Sequence, residues 1–122
     1  MYCVGVDILY FARLRPLDGQ WQDPFFLKTF TSAERCRCEA QPQPLVSYAG
    51  LFAAKEAVFK ALDMPPDKVR LQHIEIIHGD NGQPLVSLLP PLARMVEEKG
   101  ISRISLSISY ETDVAVAFAM AK

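Results

Sequence analysis

Two hydrophobic periods divide the chain, and the change between them sets its elements. From Met1 to Tyr10 the residues Tyr2, Cys3, Val4, Val6, Ile8 and Leu9 form a mostly apolar run that reads as a strand, broken at Asp7. Between Leu45 and Leu62 the spacing lengthens. Apolar residues recur at 45, 48, 49, 52 and 59, and five alanines lie between positions 49 and 61, which predicts a long amphipathic helix. Leu71 to Ile77 returns to strand character. Gly79-Asp80-Asn81-Gly82 then supplies a tight turn before a second strand from Pro84 to Leu89, making a hairpin. Leu92 to Lys99 reads as a helix closed by Gly100, and Ile101 to Tyr110 and Val114 to Met120 as two more strands joined at Glu111-Thr112-Asp113.

The segments between are shorter. Phe11 to Leu17 fits a brief helical turn carrying Arg13 and Arg15, and a polar loop with the lone Trp21 follows. After the apolar stretch Phe25 to Phe30, Thr31-Ser32-Ala33-Glu34 has the form of a capping box, so a short helix should run to Ala40. Gln41-Pro42-Gln43-Pro44 ends that helix and Pro65-Pro66 ends the long one. With no repeat, low-complexity stretch or linker, the order predicts one α+β domain over residues 1–122. A mainly antiparallel sheet should be packed by the long central helix.

Composition narrows the function only by exclusion. At 122 residues, half of them apolar, the chain can bury a core without disulfides. A net charge of −1 offers no general attraction to nucleic acid or anionic membrane, so neither is an expected partner. Three cysteines, two of them in Cys36-Arg37-Cys38, match neither redox nor zinc spacing and read as reduced thiols of a cytoplasmic protein. No apolar run reaches the roughly 18 residues of a membrane span, and the N-terminus lacks a signal-peptide layout.

Two acids stand where packing alone prefers apolar residues: Asp7 in the first strand and Glu56 in the long helix. Phe52, Glu56 and Lys60 fall one turn apart on a single ridge. Carboxylates are hard ligands suited to magnesium, and an adjacent lysine can meet a phosphate, so one reading is a phosphate-handling site with a divalent ion. The other is an exposed Glu56–Lys60 helix pair worth a few tenths of a kcal/mol.

Gly5-Val6-Asp7-Ile8, Phe30-Thr31 with Glu34, and Phe52-Ala53-Ala54-Lys55-Glu56-Ala57 followed by Lys60-Ala61 together resemble the holo-acyl-carrier-protein synthase family of small 4′-phosphopantetheinyl transferases. His73-Ile74-Glu75-Ile76, Asn81-Gly82-Gln83-Pro84 and Ser107-Ile108-Ser109 follow in the family's order, so the resemblance spans nearly the whole chain. It implies that fold and a magnesium-dependent transfer of the phosphopantetheine arm of coenzyme A to a serine of an apo acyl-carrier protein, in a homotrimer with sites shared between subunits. By resemblance Asp7 and Glu56 hold the metal, and Glu56 and Lys60 are catalytic. Lys60 meets the pyrophosphate, and Glu56 is the candidate base, acting directly or through water.

The resemblance also implies that Gly82, Pro84, Ser109 and Tyr110 lie near the nucleotide, and that Arg13, Arg15 and Lys28 face the acidic carrier. Each has a plainer alternative. Gly82 also fits an ordinary hairpin turn, Ser109 a solvent-facing strand hydroxyl, and the basic residues a solvated surface. His73 and His78, five apart on a predicted strand, point to opposite faces and receive no ligand role. Trp21 fits either a partner-facing anchor or a cover for the core. Three positions depart from the family pattern: Leu51 replaces an arginine, Tyr110 a histidine, and Asp63-Met64-Pro65-Pro66-Asp67-Lys68 a glycine-rich segment. These departures sustain a rival reading, a relative that binds coenzyme A or a carrier without transfer. Retention of Asp7, Glu56 and Lys60 argues against it.

Overall fold

The computed structural model describes residues 1–122. Five strands and four α-helices are arranged in the order β1 (Cys3–Tyr10), α1 (Pro24–Thr29), α2 (Ser32–Glu39), α3 (Pro44–Leu62), β2 (Ile74–His78), β3 (Pro84–Leu88), α4 (Leu92–Glu98), β4 (Ile104–Tyr110) and β5 (Val114–Ala121). An antiparallel sheet of order β1-β5-β4 packs on one side of α3, and the β2-β3 hairpin forms a second, two-stranded sheet. Phe11–Arg13 and Arg15–Leu17 form two 3₁₀ turns, where the sequence suggested one helical turn. The strand expected from Leu71 begins at Ile74, because Leu71–His73 closes a further 3₁₀ turn.

The central helix is the expected one, but it has no single apolar stripe. Twelve of its 19 residues are buried, while Phe52 and Phe59 on the predicted stripe are only half-buried. The reason lies in size. Ala49, Gly50, Ala53, Ala54, Ala57 and Ala61 let neighbours close in on several sides of the helix. From the sheet side, Ala115, Ala117, Ala119 and Ala121 of β5 meet it, all at most 1% exposed.

Gly5 in β1 makes the closest approach. A Cβ there would lie 2.0 Å from the Ala57 carbonyl oxygen and 2.7 Å from the Ala61 nitrogen. Backbone on both sides leaves no flexible group to yield, so Gly5→Ala must push β1 off α3. The expected cost is about 2 kcal/mol or more, read as a lower denaturation midpoint in urea.

The sheet's two faces differ sharply. Cross-strand pairs place Val4, Val6, Ile8 and Tyr10 of β1, Val116, Phe118 and Met120 of β5, and Ser105, Ser107 and Ser109 of β4 on the outer face. Val4, Val6, Ile8 and Tyr10 are each more than half exposed in the isolated chain. Gly5, Asp7 and Leu9 share the inner face, turned to α3. An aromatic cluster closes the other side of the helix. Trp21 packs edge-on against Phe26 and tilted on Tyr48, so it covers part of the core while staying partly exposed. Asp23 caps α1, accepting from the Phe25 N–H at 2.9 Å.

A buried ion pair, missed by the sequence reading, ties these layers together. Lys55 lies on α3 at 0% exposure and donates to Glu34 Oε1 at 2.8 Å and to the carbonyls of Leu71 at 2.9 Å and Ile74 at 2.6 Å. Glu34 completes the expected capping box with Thr31 and accepts from the Ile76 N–H at 2.7 Å through Oε2. Burial lowers the pKa of Lys55, and the Glu34 carboxylate works against that shift. All three ammonium protons have partners. The network fastens α2, α3 and the first strand of the hairpin to one another.

Candidate active site

The close packing of Gly5 on α3 brings the first strand's acid to the helix. Lys60 Nζ donates to Asp7 Oδ1 at 3.2 Å and to the Val6 carbonyl at 2.9 Å. The Glu56–Lys60 helix pair weighed from the sequence is not formed; Lys60 takes the partner from β1 instead. Glu56, half-buried, is harder to ionise than an ordinary glutamate. Burial is the main cause and the Asp7 charge adds to it, while Lys60 and Arg13 pull the other way. Asp7, Glu56, Lys60 and Arg13 therefore form one electrostatic unit at the edge of α3.

Two carboxylates placed so that the Asp7 charge opposes ionisation of Glu56 suit a divalent cation. No third acid, histidine or cysteine joins them. That donor set fits magnesium, which keeps several waters and takes phosphate oxygens as remaining ligands. Because the folded pKa of Glu56 lies above its unfolded value, its ionisation costs stability at neutral pH. That cost disappears as pH falls through the folded pKa. Asp7→Asn should lower the Glu56 pKa toward the ordinary value, a change that carboxyl-carbon NMR titration of the metal-free protein can read.

The other site candidates divide into separate places. Gly82 and Tyr110 line one cavity of about 340 Å³ together with Ser47, Leu51, Arg37 and His78. The Tyr110 ring lies over Gly50, where a Cβ would meet its hydroxyl at 1.9 Å. Burial pushes its phenol up in pKa. Ser109 is on the opposite, outer face of the sheet, across from Val116, and Pro84 pairs with His78 in the hairpin ladder. Arg15 lines a different cavity with Asp18, Gln43 and Glu111, and Lys28 a third with Arg70 and Gln72, so neither adjoins the other. Leu51, at the position of the missing arginine, is 4% exposed and floors the cavity. At the end of α3, Asp63 takes the left-handed conformation, at φ 51°, where the glycine-rich segment was expected. The Lys99 ammonium holds the Leu62 carbonyl at 2.6 Å and also that of Asp63.

The arrangement of a carboxylate pair with a lysine on this fold defines a class. A family model, that of the 4′-phosphopantetheinyl transferase superfamily, matches residues 3–119, and the chain belongs to that superfamily. Within it the similarity is to one kind of enzyme. A holo-[acyl-carrier-protein] synthase of Desulforudis audaxviator is 40% identical over 118 residues, covering 97% of this chain and 90% of that protein. The crystal structure of holo-[acyl-carrier-protein] synthase from Neisseria meningitidis has a TM-score of 0.90 to this chain at 34% identity, covering 98% of this chain and 97% of that one. A Chronobacterium ammoniagenes ACPS–CoA complex has a TM-score of 0.84 at 27% identity, covering 100% and 97%. The expected fold is therefore the observed one.

Proposed function

We propose that this chain is a holo-acyl-carrier-protein synthase that transfers the 4′-phosphopantetheine arm of coenzyme A to a serine of an apo acyl-carrier protein. The observation that carries the reading is the convergence of Asp7, Glu56 and Lys60 from two distant segments. Asp7 and Glu56 would hold magnesium, which when bound offsets charge on the pyrophosphate oxygens and orients them for in-line displacement. The serine Oγ forms a bond to the β-phosphorus, the bond from that phosphorus to the bridging oxygen breaks, and 3′,5′-ADP leaves. Lys60 stabilises the charge gathering on the departing phosphate, as a flexible point charge can. Glu56 takes the serine proton directly or through a water.

Arg13 stands beside this unit, since its charge acts on Glu56, and would meet an acidic carrier arriving there. Arg15 and Lys28 would extend the contact along the surface. Gly82 allows close backbone approach to the nucleotide, and Tyr110 offers a ring face to it. Pro84 and Ser109 would take part from the hairpin and the outer strand face.

Two features support a homotrimer with shared sites. The β1 and β5 part of the outer sheet face is apolar, and it is uncovered in one chain at Val4, Val6, Ile8, Tyr10 and Phe118. In addition, Leu51 and Lys60 are nine residues apart on α3, about 2.5 turns, so the nucleotide cavity and the metal unit lie on opposite sides of the helix. A second copy would bring one half beside the other. No helix of the chain is long and apolar enough to cross a membrane, and the unpaired thiols agree with a cytoplasmic setting.

The test is to incubate the protein with coenzyme A, magnesium and several apo carrier proteins, and to weigh the intact carriers. A gain of one phosphopantetheine on a carrier serine is expected. No gain on any carrier, with coenzyme A still bound, would establish the rival reading of binding without transfer.

A further inference from the structure

The cavity beside α2 carries a charge that the transfer reaction, as described, leaves unused. Arg37 lies in the last turn of α2 and is exposed at this cavity. Its guanidinium enters none of the molecule's ion pairs. No carboxylate lines the cavity. His78 also faces it, with its Nδ1 buried and unpartnered; burial and the nearby Arg37 charge hold its imidazole in the neutral form. A free guanidinium at the mouth of a cavity without acids is an anion site, and the planar fork of arginine matches a phosphate in particular.

Coenzyme A carries anionic groups of two kinds. Its pyrophosphate is assigned to the Asp7, Glu56 and Lys60 unit, on the far side of α3. The remaining one is the 3′-phosphate monoester on the ribose, which carries most of two charges at neutral pH. The cavity's other walls suit the rest of that end of the molecule. Tyr110 presents a ring, Leu51 a hydrocarbon floor, and Gly82 a turn open to close approach, with nothing within 4 Å of its Cβ position. We propose that Arg37 binds the 3′-phosphate of coenzyme A from the last turn of α2. The assignment rests on the proposed function in three respects: coenzyme A as the ligand, its pyrophosphate at the Asp7, Glu56 and Lys60 unit, and a second copy that brings that unit beside this cavity.

Calorimetric binding of coenzyme A and of 3′-dephospho-coenzyme A tests it, using the intact protein. The unsubstituted protein should bind coenzyme A roughly tenfold or more tightly than the dephospho form, as a charge-assisted phosphate contact allows. Arg37→Ala should remove that preference by weakening coenzyme A alone, leaving the dephospho form within about twofold, because the side chain is exposed and enters no ion pair. Arg37→Glu should reverse the preference. A protein that never discriminates between the two ligands, or an Arg37→Ala change that weakens both equally, overturns the proposal. The failures are separable: discrimination that depends on Arg37 without carrier mass gain sinks the transfer reading alone. Mass gain without such discrimination sinks the role of Arg37 alone.

Discussion

Asp7→Asn and Glu56→Gln should each lower phosphopantetheine transfer by at least about a hundredfold, as loss of a metal-holding carboxylate does. Both substitutions keep shape and remove charge. Neither should unfold the domain. Glu56 is half-buried and already opposed by Asp7, so replacing it relieves a like-charge repulsion. In Asp7→Asn the amide oxygen can still accept from Lys60, whose second partner, the Val6 carbonyl, is backbone and unaffected. Thermal midpoints within a few degrees of the parent, beside collapsed initial rates in the carrier-mass assay, are the expected result. Near-full rates in both variants would remove the metal assignment. A large drop in midpoint for Asp7→Asn would instead mean that the Lys60 contact holds β1 to α3.

The features legible from sequence are those in which a residue contradicts its own period. Asp7 interrupts an apolar strand and Glu56 an apolar-flanked helix, and the structure brings them together: Lys60 pairs with Asp7, and the Asp7 charge acts on Glu56. The capping box at Thr31 was readable because it is local, needing only three residues of spacing. The Lys55–Glu34 pair was not. Lys55 sits among strong helix formers, where a lysine ordinarily means a solvent-facing position, and its partner is twenty-one residues away. Gly50 offered the one available hint of the Tyr110 packing, since a glycine inside a helix costs about 1 kcal/mol and asks for a reason.

The outer sheet face was illegible for a different reason. A strand with apolar residues on both faces reads as fully buried, and only the three-dimensional arrangement reveals that Val4, Val6, Ile8 and Tyr10 lie uncovered in a single chain. The same limit applies to the residues expected near the nucleotide. Ser109 and Tyr110 are neighbours in sequence, yet strand alternation sends them to opposite faces, and only Tyr110 reaches the cavity with Gly82.

Lys55→Met is expected to be the most destabilising single change outside the glycine contacts, at about 3–5 kcal/mol. The methionine fills similar volume, so little of the loss comes from a cavity. What remains is a carboxylate at 2% exposure with its counter-charge removed, and carbonyls of Leu71 and Ile74 left without their donor. Adding Glu34→Gln should recover part of the loss, because an amide buries no net charge and can still accept from a backbone N–H such as that of Ile76. Urea denaturation of the single and double variants at one fixed protein concentration reads both numbers, free of any concentration-dependent contribution. Because the network seats the first strand of the hairpin on α3, the single variant should also loosen the turn at Gly82. Faster amide exchange there than in β1 and β5 would locate the damage. A cost below about 1 kcal/mol, or no recovery in the double variant, would show that the charge on Glu34 is not what Lys55 holds in check.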